Sequence, residues 1–547
     1  MAATKLDWQA LAATKRAAES AKIPEEWRLG QEFLHGNETT PISVFDVPAK
    51  CGILSHAELK ITELDAGSLA NAVQSGSLKA AAVATAFSKR AAIAQQLTQC
   101  LTETFFDDAI ARGQYLDTFL AEHGKPLGPL HGVPVSIKDS FRYKGSQSTL
   151  GFVSFLDGPA DTENSPLVDL LLDLGAILYC KTNIPLTLMT ADSHNNVFGR
   201  VLNPHKLNLG AGGSSGGEGA LVAFKGSPLG IGTDIGGSVR IPALVNGTYG
   251  LKPTPNRVPY GNQAWCSARG SPGFPACAGP LANSFEDIAL FMRIILEASP
   301  WDRDATAVFY PWRAAIADRT PGKLRIGYYV EDPAFPTHPP VRRALEASAN
   351  ALAKAGHEII VLSDTPSIKT SVNLAASYWS MDNSRTWLKN IEASGEPIIP
   401  SLLKTLHTLA MKPEGFTLEE LFSVNVLAGE YKALWHNLWV QNQLDIILCP
   451  PAQTTAVLHD DFGVPHYTIL WNLLQYPGLI IPVGTADKSI DTDDLARPEP
   501  EMGRIYRAED VHGAPTSIQL VTRPMQDEEL ISYSRLIDGV LKAARGA

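Results

Sequence analysis

The spacing of hydrophobic positions changes character near residue 129. Before that point it is mainly helical. Ser55-x-x-Glu58 has the form of a capping box, in which serine and glutamate each bond the free N–H that the other brings to a helix start. Lys79 to Leu97 is alanine-rich, holds neither Gly nor Pro, and predicts a long helix. Beyond 129, short apolar runs alternate with Gly/Pro turns and helical spacers. Val133–Ile137, Ala176–Cys180, Leu324–Val330, Glu358–Leu362, Ile446–Cys449, Leu479–Val483 and Ser517–Val521 predict strands. Several of these runs are uninterrupted, which suits strands covered on both faces. Pro166–Leu174, Ser284–Leu296, Pro340–Ala355 and Leu418–Leu444 predict helices between them. The alternation implies an α/β sandwich around a mixed central sheet.

No stretch has the composition of a linker between domains, and no internal repeat is evident. Residues 1–60 are expected to form a helical N-terminal extension packed on the core, and 61–547 a single domain. The softest segment is Asp487–Asp510, with eight acids against four bases and with Pro498 and Pro500, which predicts a solvated loop free to move.

Composition narrows the picture further. The 547 residues are 45% hydrophobic and 19% charged, an ordinary globular balance with ample core. The formal charge of -11 leaves no basic excess to neutralise phosphates, so neither nucleic acid nor anionic lipid is the expected partner. Six cysteines lie singly, without Cys-x-x-Cys or zinc spacing. Free buried thiols in a reducing compartment, and no bound metal, are the expectation. The N-terminus lacks an apolar leader and no apolar run has transmembrane length, which predicts a cytoplasmic protein without a membrane span.

Candidate chemistry concentrates in Gly212-Gly-Ser214-Ser215-Gly-Gly-Glu-Gly-Ala220 and Gly232-Thr-Asp-Ile-Gly-Gly-Ser238-Val-Arg240. Small residues there let backbone N–H groups approach a ligand. No P-loop occurs, and Gly230-Ile-Gly232-Thr-Asp-Ile-Gly236 misses a dinucleotide turn by one residue. The nucleophile-elbow pattern fits at Ser214 and again at Ser215, but an elbow needs an apolar strand before it, and His205–Ala211 is a poor strand. Lys138 lies upstream in an otherwise apolar run.

Taken together these segments strongly resemble the amidase signature family. The lysine segment is Gly128-Pro-Leu-His-Gly-Val-Pro-Val-Ser-Ile-Lys138-Asp. Further likenesses are Lys181-Thr-Asn-Ile-Pro185, Tyr249-Gly-Leu-Lys-Pro253, Trp471-Asn472 and Gly513-Ala-Pro-Thr-Ser-Ile-Gln519. The resemblance covers about residues 55 to 540, and within the family it is most similar to fungal acetamidases, with a likeness also to fatty-acid amide hydrolases. It implies the family's α/β fold, a mixed twisted sheet covered by helices on both faces, with 61–547 as the catalytic domain.

Carried over by motif position, Ser238 is the nucleophile, Ser214 a bridging serine held by a cis Gly213–Ser214 peptide, and Lys138 the base. A serine hydroxyl needs such a base. Lysine serves only when neutral, and burial with nearby cationic character is expected to lower its pKa. The N–H groups of Ile235, Gly236, Gly237 and Ser238 suit an oxyanion hole. Met189 falls where the family lines its substrate pocket. Ser215 reads as a supporting hydroxyl, and Asp234 with Arg240 as a buried ion pair or backbone clamp. His131 reads as tying down a turn, and no role is assigned to any tryptophan.

The implied activity is hydrolysis of a small-molecule carboxylic amide to a carboxylate and ammonia or amine, extending to esters or carbamates, with no cofactor. A homodimer is the family-level expectation. Two alternatives stay open at this point: the amide-hydrolysing subunit of a tRNA amidotransferase, and a non-catalytic nucleotide-binding α/β protein.

Overall fold

Eleven strands hydrogen-bond into one mixed sheet in a computed structural model that describes residues 7–409, 412, 415–498 and 506–546. In chain order they are β1 (Leu101–Thr104), β2 (Pro134–Lys138), β3 (Ile177–Thr182), β4 (Leu229–Asp234), β5 (Tyr249–Lys252), β6 (Cys277–Ala282), β7 (Arg325–Tyr328), β8 (Glu358–Val361), β9 (Ile446–Cys449), β10 (Gly478–Thr485) and β11 (Pro515–Val521). Across the sheet the order is β1-β3-β2-β4-β6-β5-β10-β11-β9-β7-β8. β2 runs parallel to β3 and β4, and β7 parallel to β8 and β9. The other neighbours are antiparallel.

Both faces of the sheet are covered, because alternate side chains of one strand enter different cores. Leu479 and Ile481 of β10 join a cluster with α1 (Ala80–Thr98), α2 (Phe285–Glu297), α3 (Pro339–Lys354) and α4 (Asp527–Arg545). Ile480 between them packs with Ile241, Ala243 and Leu244 on the opposite side. β9 alternates likewise: Ile446 and Leu448 face the first cluster, whereas Ile447 and Cys449 pack with Trp435, Trp439 and Trp471.

All seven expected strands form, with ends shifted by at most two residues and Ile446–Cys449 unchanged. Ser55 and Glu58 make both bonds of the capping box. Four strands, β1, β4, β5 and β6, were not legible. In β4 and β6, glycines interrupt the apolar pattern because neighbours come too close for a side chain. A Cβ on Gly230 would stand 2.2 Å from Glu218 Oε2, and one on Gly279 2.1 Å from Leu251 O. The expectation for His205–Ala211 is corrected: Lys206–Gly210 is a strand, paired with Leu202–Asn203 in a small ribbon outside the main sheet.

The N-terminal residues contribute to the main core, where Ile23, Trp27, Leu29 and Val44 are buried. Of the acidic segment, Glu499, Pro500, Glu501 and Arg504 lie outside the described residues. Its described flank is less solvated than expected, since Asp491 is buried and ion-paired to Arg343 at 2.6 Å. All six cysteines are free and five are buried. Among the described residues, no helix is long and apolar enough to cross a membrane, and no His/Cys/Asp/Glu group could hold a metal.

Candidate active site

The site is built at the carboxyl ends of the parallel strands β2 and β4, the edge where open α/β sheets commonly bind ligands. β2 ends on Lys138, whose side chain is fully buried. Its Nζ donates to Ser214 Oγ at 2.7 Å and to Thr233 Oγ1 at 2.8 Å. Pairing of Ile137 with Ile231 sets Thr233 beside the lysine.

Burial pushes the Lys138 ammonium down to about 7, against the pull of Asp234, Glu218 and Asp139, each of which favours the charged form. The cationic neighbours anticipated above are therefore not the cause. Desolvation alone lowers this pKa. Glu218 is also fully buried and is pushed up to about 8, although Ser136 Oγ donates to it at 2.5 Å and Thr182 Oγ1 at 2.8 Å.

Ser214 follows a cis peptide bond from Gly213. A Cβ on Gly213 would meet Thr190 O at 2.3 Å, so only glycine fits there. The next residue ties the two serine segments together. Ser215 N–H donates to Ser238 O at 3.1 Å, and Thr233 N–H donates to Ser215 Oγ at 3.3 Å. Ser238 lies on the cavity wall with Ser214, and no described side chain is hydrogen-bonded to its hydroxyl.

The loop carrying Ser238 is clamped by Asp234 and Arg240, both fully buried. The guanidinium donates to both carboxylate oxygens at 3.0 Å. Burial would raise the Asp234 pKa, but Arg240 above all, with Lys252 and Asn472, holds it at about 2. The carboxylate also accepts the N–H of Gly237 at 2.8 Å and that of Val239 at 3.2 Å. The Gly237 N–H thus points into the protein, unlike the expectation that it faces the cavity. No described residue accepts from the N–H groups of Ile235, Gly236 or Ser238.

Helix α5 (His466–Leu473) completes the clamp from a distant part of the chain. Thr468 Oγ1 donates to Gly236 O at 2.7 Å, and Asn472 Nδ2 to Asp234 Oδ1 at 2.9 Å. Gly237 has φ +128°, and a Cβ there would lie 2.2 Å from Thr468 Oγ1.

A cavity of about 220 Å³ opens over these groups, lined by Ser214, Ser238, Met189, Ile235 and Gly236. Trp265 and Trp379 also line it, whereas Trp435, Trp439 and Trp471 are core. Thr233, Glu218 and Thr468 escaped sequence reasoning. Thr233 and Glu218 stand inside the quoted motifs and could have been flagged by position, but Thr468 carries no local signal. His131 Nδ1 accepts the Leu127 N–H at 3.0 Å and so ties the turn before β2.

Chemically, the site offers an amine that loses its proton near neutrality, a hydroxyl bonded to it, a second hydroxyl at a cavity and unspent N–H groups beside that hydroxyl. Those are the requirements of acyl transfer without histidine.

Comparison with known proteins gives the family. The family model described as Amidase matches residues 82–531. An amidase of Gibberella moniliformis is 40% identical over 550 residues, covering 98% of this chain and all 100% of that protein. An acetamidase of Emericella nidulans is 38% identical, covering 98% of each chain. Among solved structures, a fatty acid amide hydrolase superposes with a TM-score of 0.90 at 31% identity, covering 98% of this chain and 95% of that one.

Proposed function

Because this chain belongs to the amidase family and hydrolyses linear amide C–N bonds, we propose that it does so through an acyl-enzyme on Ser238, with Ser214 and Lys138 as the proton relay. The observation that carries this reading is the 2.7 Å bond from buried Lys138 Nζ to Ser214 Oγ, made by an amine whose pKa is pushed down to about 7.

Neutral Lys138 takes the Ser214 proton, and Ser214 takes that of Ser238 as Ser238 Oγ bonds the carbonyl carbon. The carbonyl oxygen becomes an oxyanion against the N–H groups of Ile235, Gly236 and Ser238, while Gly237 keeps its bond to Asp234. On collapse the C–N bond breaks and the nitrogen receives a proton from Ser214, which Lys138 replenishes. The nitrogen leaves as ammonia or amine, because an amide anion would be a very poor leaving group. Water then attacks the acyl ester by the same relay, releasing the carboxylate and restoring Ser238. The same sequence accommodates esters and carbamates.

A serine-directed fluorophosphonate tests the assignment. It should add one label, on Ser238, by peptide mass mapping, and Lys138→Ala should slow labelling sharply. Labelling of Ser215 instead, or full activity in Ser238→Ala, would overturn it.

A further inference from the structure

Beyond the reaction type, we infer that the preferred substrate carries an apolar acyl group of aryl or medium-chain size, rather than an acetyl group. The inference rests on the acyl-enzyme reading above. Its first support is volume. The cavity measures about 220 Å³. A protein cavity of about 150 Å³ lined by aliphatic and aromatic side chains holds a benzene ring. Acetamide, with one methyl group beyond its carboxamide, would leave most of this space unfilled.

The second support is the lining. Away from the serines the wall includes Leu188, Trp379, Leu406, Leu409, Val464 and Ile469. These six carry no ionisable group, and the Tyr260 phenol and Cys266 thiol that also line the cavity are kept neutral by burial, so the wall presents no charge and favours a hydrocarbon over a charged group. Trp379 ends α6 (Ile368–Trp379), and Leu406 and Leu409 lie on α7 (Pro400–Leu409). Both helices lie outside the glycine-serine segments.

The third support decides which end of the amide the wall receives. Trp379 and Ile469 stand directly over the nucleophile loop: a Cβ on Gly236 would lie 3.4 Å from Trp379 Cη2 and 3.7 Å from Ile469 Cγ1. The acyl carbon becomes bonded to Ser238 on that loop, whereas the nitrogen departs toward Ser214. An apolar wall against the loop therefore packs on the acyl group. Two other lining hydroxyls, Ser140 Oγ and Thr187 Oγ1, are buried without a hydrogen-bond partner and leave polar capacity for the carboxamide end.

The test is kcat/KM of the wild-type protein for acetamide, hexanamide, phenylacetamide and acetanilide, with Ser238 labelling by fluorophosphonate in parallel. Each methylene buried in the wall should raise kcat/KM about fourfold. Hexanamide and phenylacetamide should then exceed acetamide by on the order of 100-fold, and acetanilide, with its ring on nitrogen, should not share the gain. Trp379→Ala should narrow the phenylacetamide-to-acetamide ratio by about tenfold, in keeping with loss of a large, half-buried aromatic from the cavity wall. Equal turnover of acetamide and phenylacetamide, or preference for acetanilide, would overturn the inference while leaving the mechanism standing. Absence of hydrolysis of every amide together with no label on Ser238 would instead overturn the mechanism beneath it. The wild-type series needs no variant, so misfolding of Trp379→Ala would not blunt the test.

Discussion

At the scale of the residue, the decisive property is that Lys138 gives up its proton near neutral pH. Nothing in its chemistry makes a lysine a base at pH 7. Full burial does, by penalising the ammonium more than Asp234 and Glu218 stabilise it. In the proposed relay the neutral amine is the active form, so kcat/KM should rise with pH through about 7 and level off above it. Below that limb it should fall about tenfold per pH unit. Lys138→Met, which fills the same buried space without a base, should cost on the order of 10² to 10⁴ in kcat/KM and remove that limb. A pH–rate profile of both proteins checks this, and an unchanged limb in the variant would assign it to another group. The candidate residues Lys138, Ser214 and Ser238 were legible from motif position. Burial was the expected cause of the pKa shift, but the charges around the amine were not legible: they are the carboxylates of Asp234 and Glu218 rather than cations.

At the scale of the element, helix α5 acts as a brace for a loop it does not adjoin in sequence. Thr468 and Asn472 are four apart, so they share one face of the helix and reach the loop together. Thr468 holds the Gly236 carbonyl while Asp234 holds the Gly237 N–H, which fixes the plane of the peptide between them. Thr468→Val keeps the shape and deletes the donor. We expect kcat to fall about tenfold with KM little changed, a smaller loss than removing an oxyanion donor outright. Steady-state kinetics with a circular-dichroism control measures this. A rise in KM alone would mark Thr468 as a pocket wall rather than a positioning residue. The strands show the same limit of local pattern. Those with continuous apolar runs were legible, whereas β4 and β6 were hidden by the glycines that let Glu218 and Leu251 approach.

At the scale of the whole molecule, the N-terminal segment packs as part of the core. Ile23, Trp27, Leu29 and Val44 are buried in the main cluster, and Lys15 pairs with Glu103 of β1 at 2.5 Å. A chain starting at residue 61 should lose at least several kcal/mol, at about 1.5–3 kcal/mol per large apolar side chain, and should aggregate or melt well below the full chain in a thermal scan. A truncated chain with unchanged melting would make residues 1–60 a dispensable appendage. By itself the sequence determined the alternation of strands and helices, the α/β class and the catalytic candidates, because hydrophobic period and short glycine-serine spacings are local and survive in one dimension. Only the tertiary structure decided that Gly237 turns its N–H to Asp234, that Thr468 braces the loop and that Trp379 and Leu406 face the cavity. The brace joins Thr468 to Gly236, 232 positions away, and even the local Gly237–Asp234 bond depends on a carboxylate that Asn472 holds from 238 positions away, so burial and hydrogen-bond geometry depend on which surfaces the fold brings together.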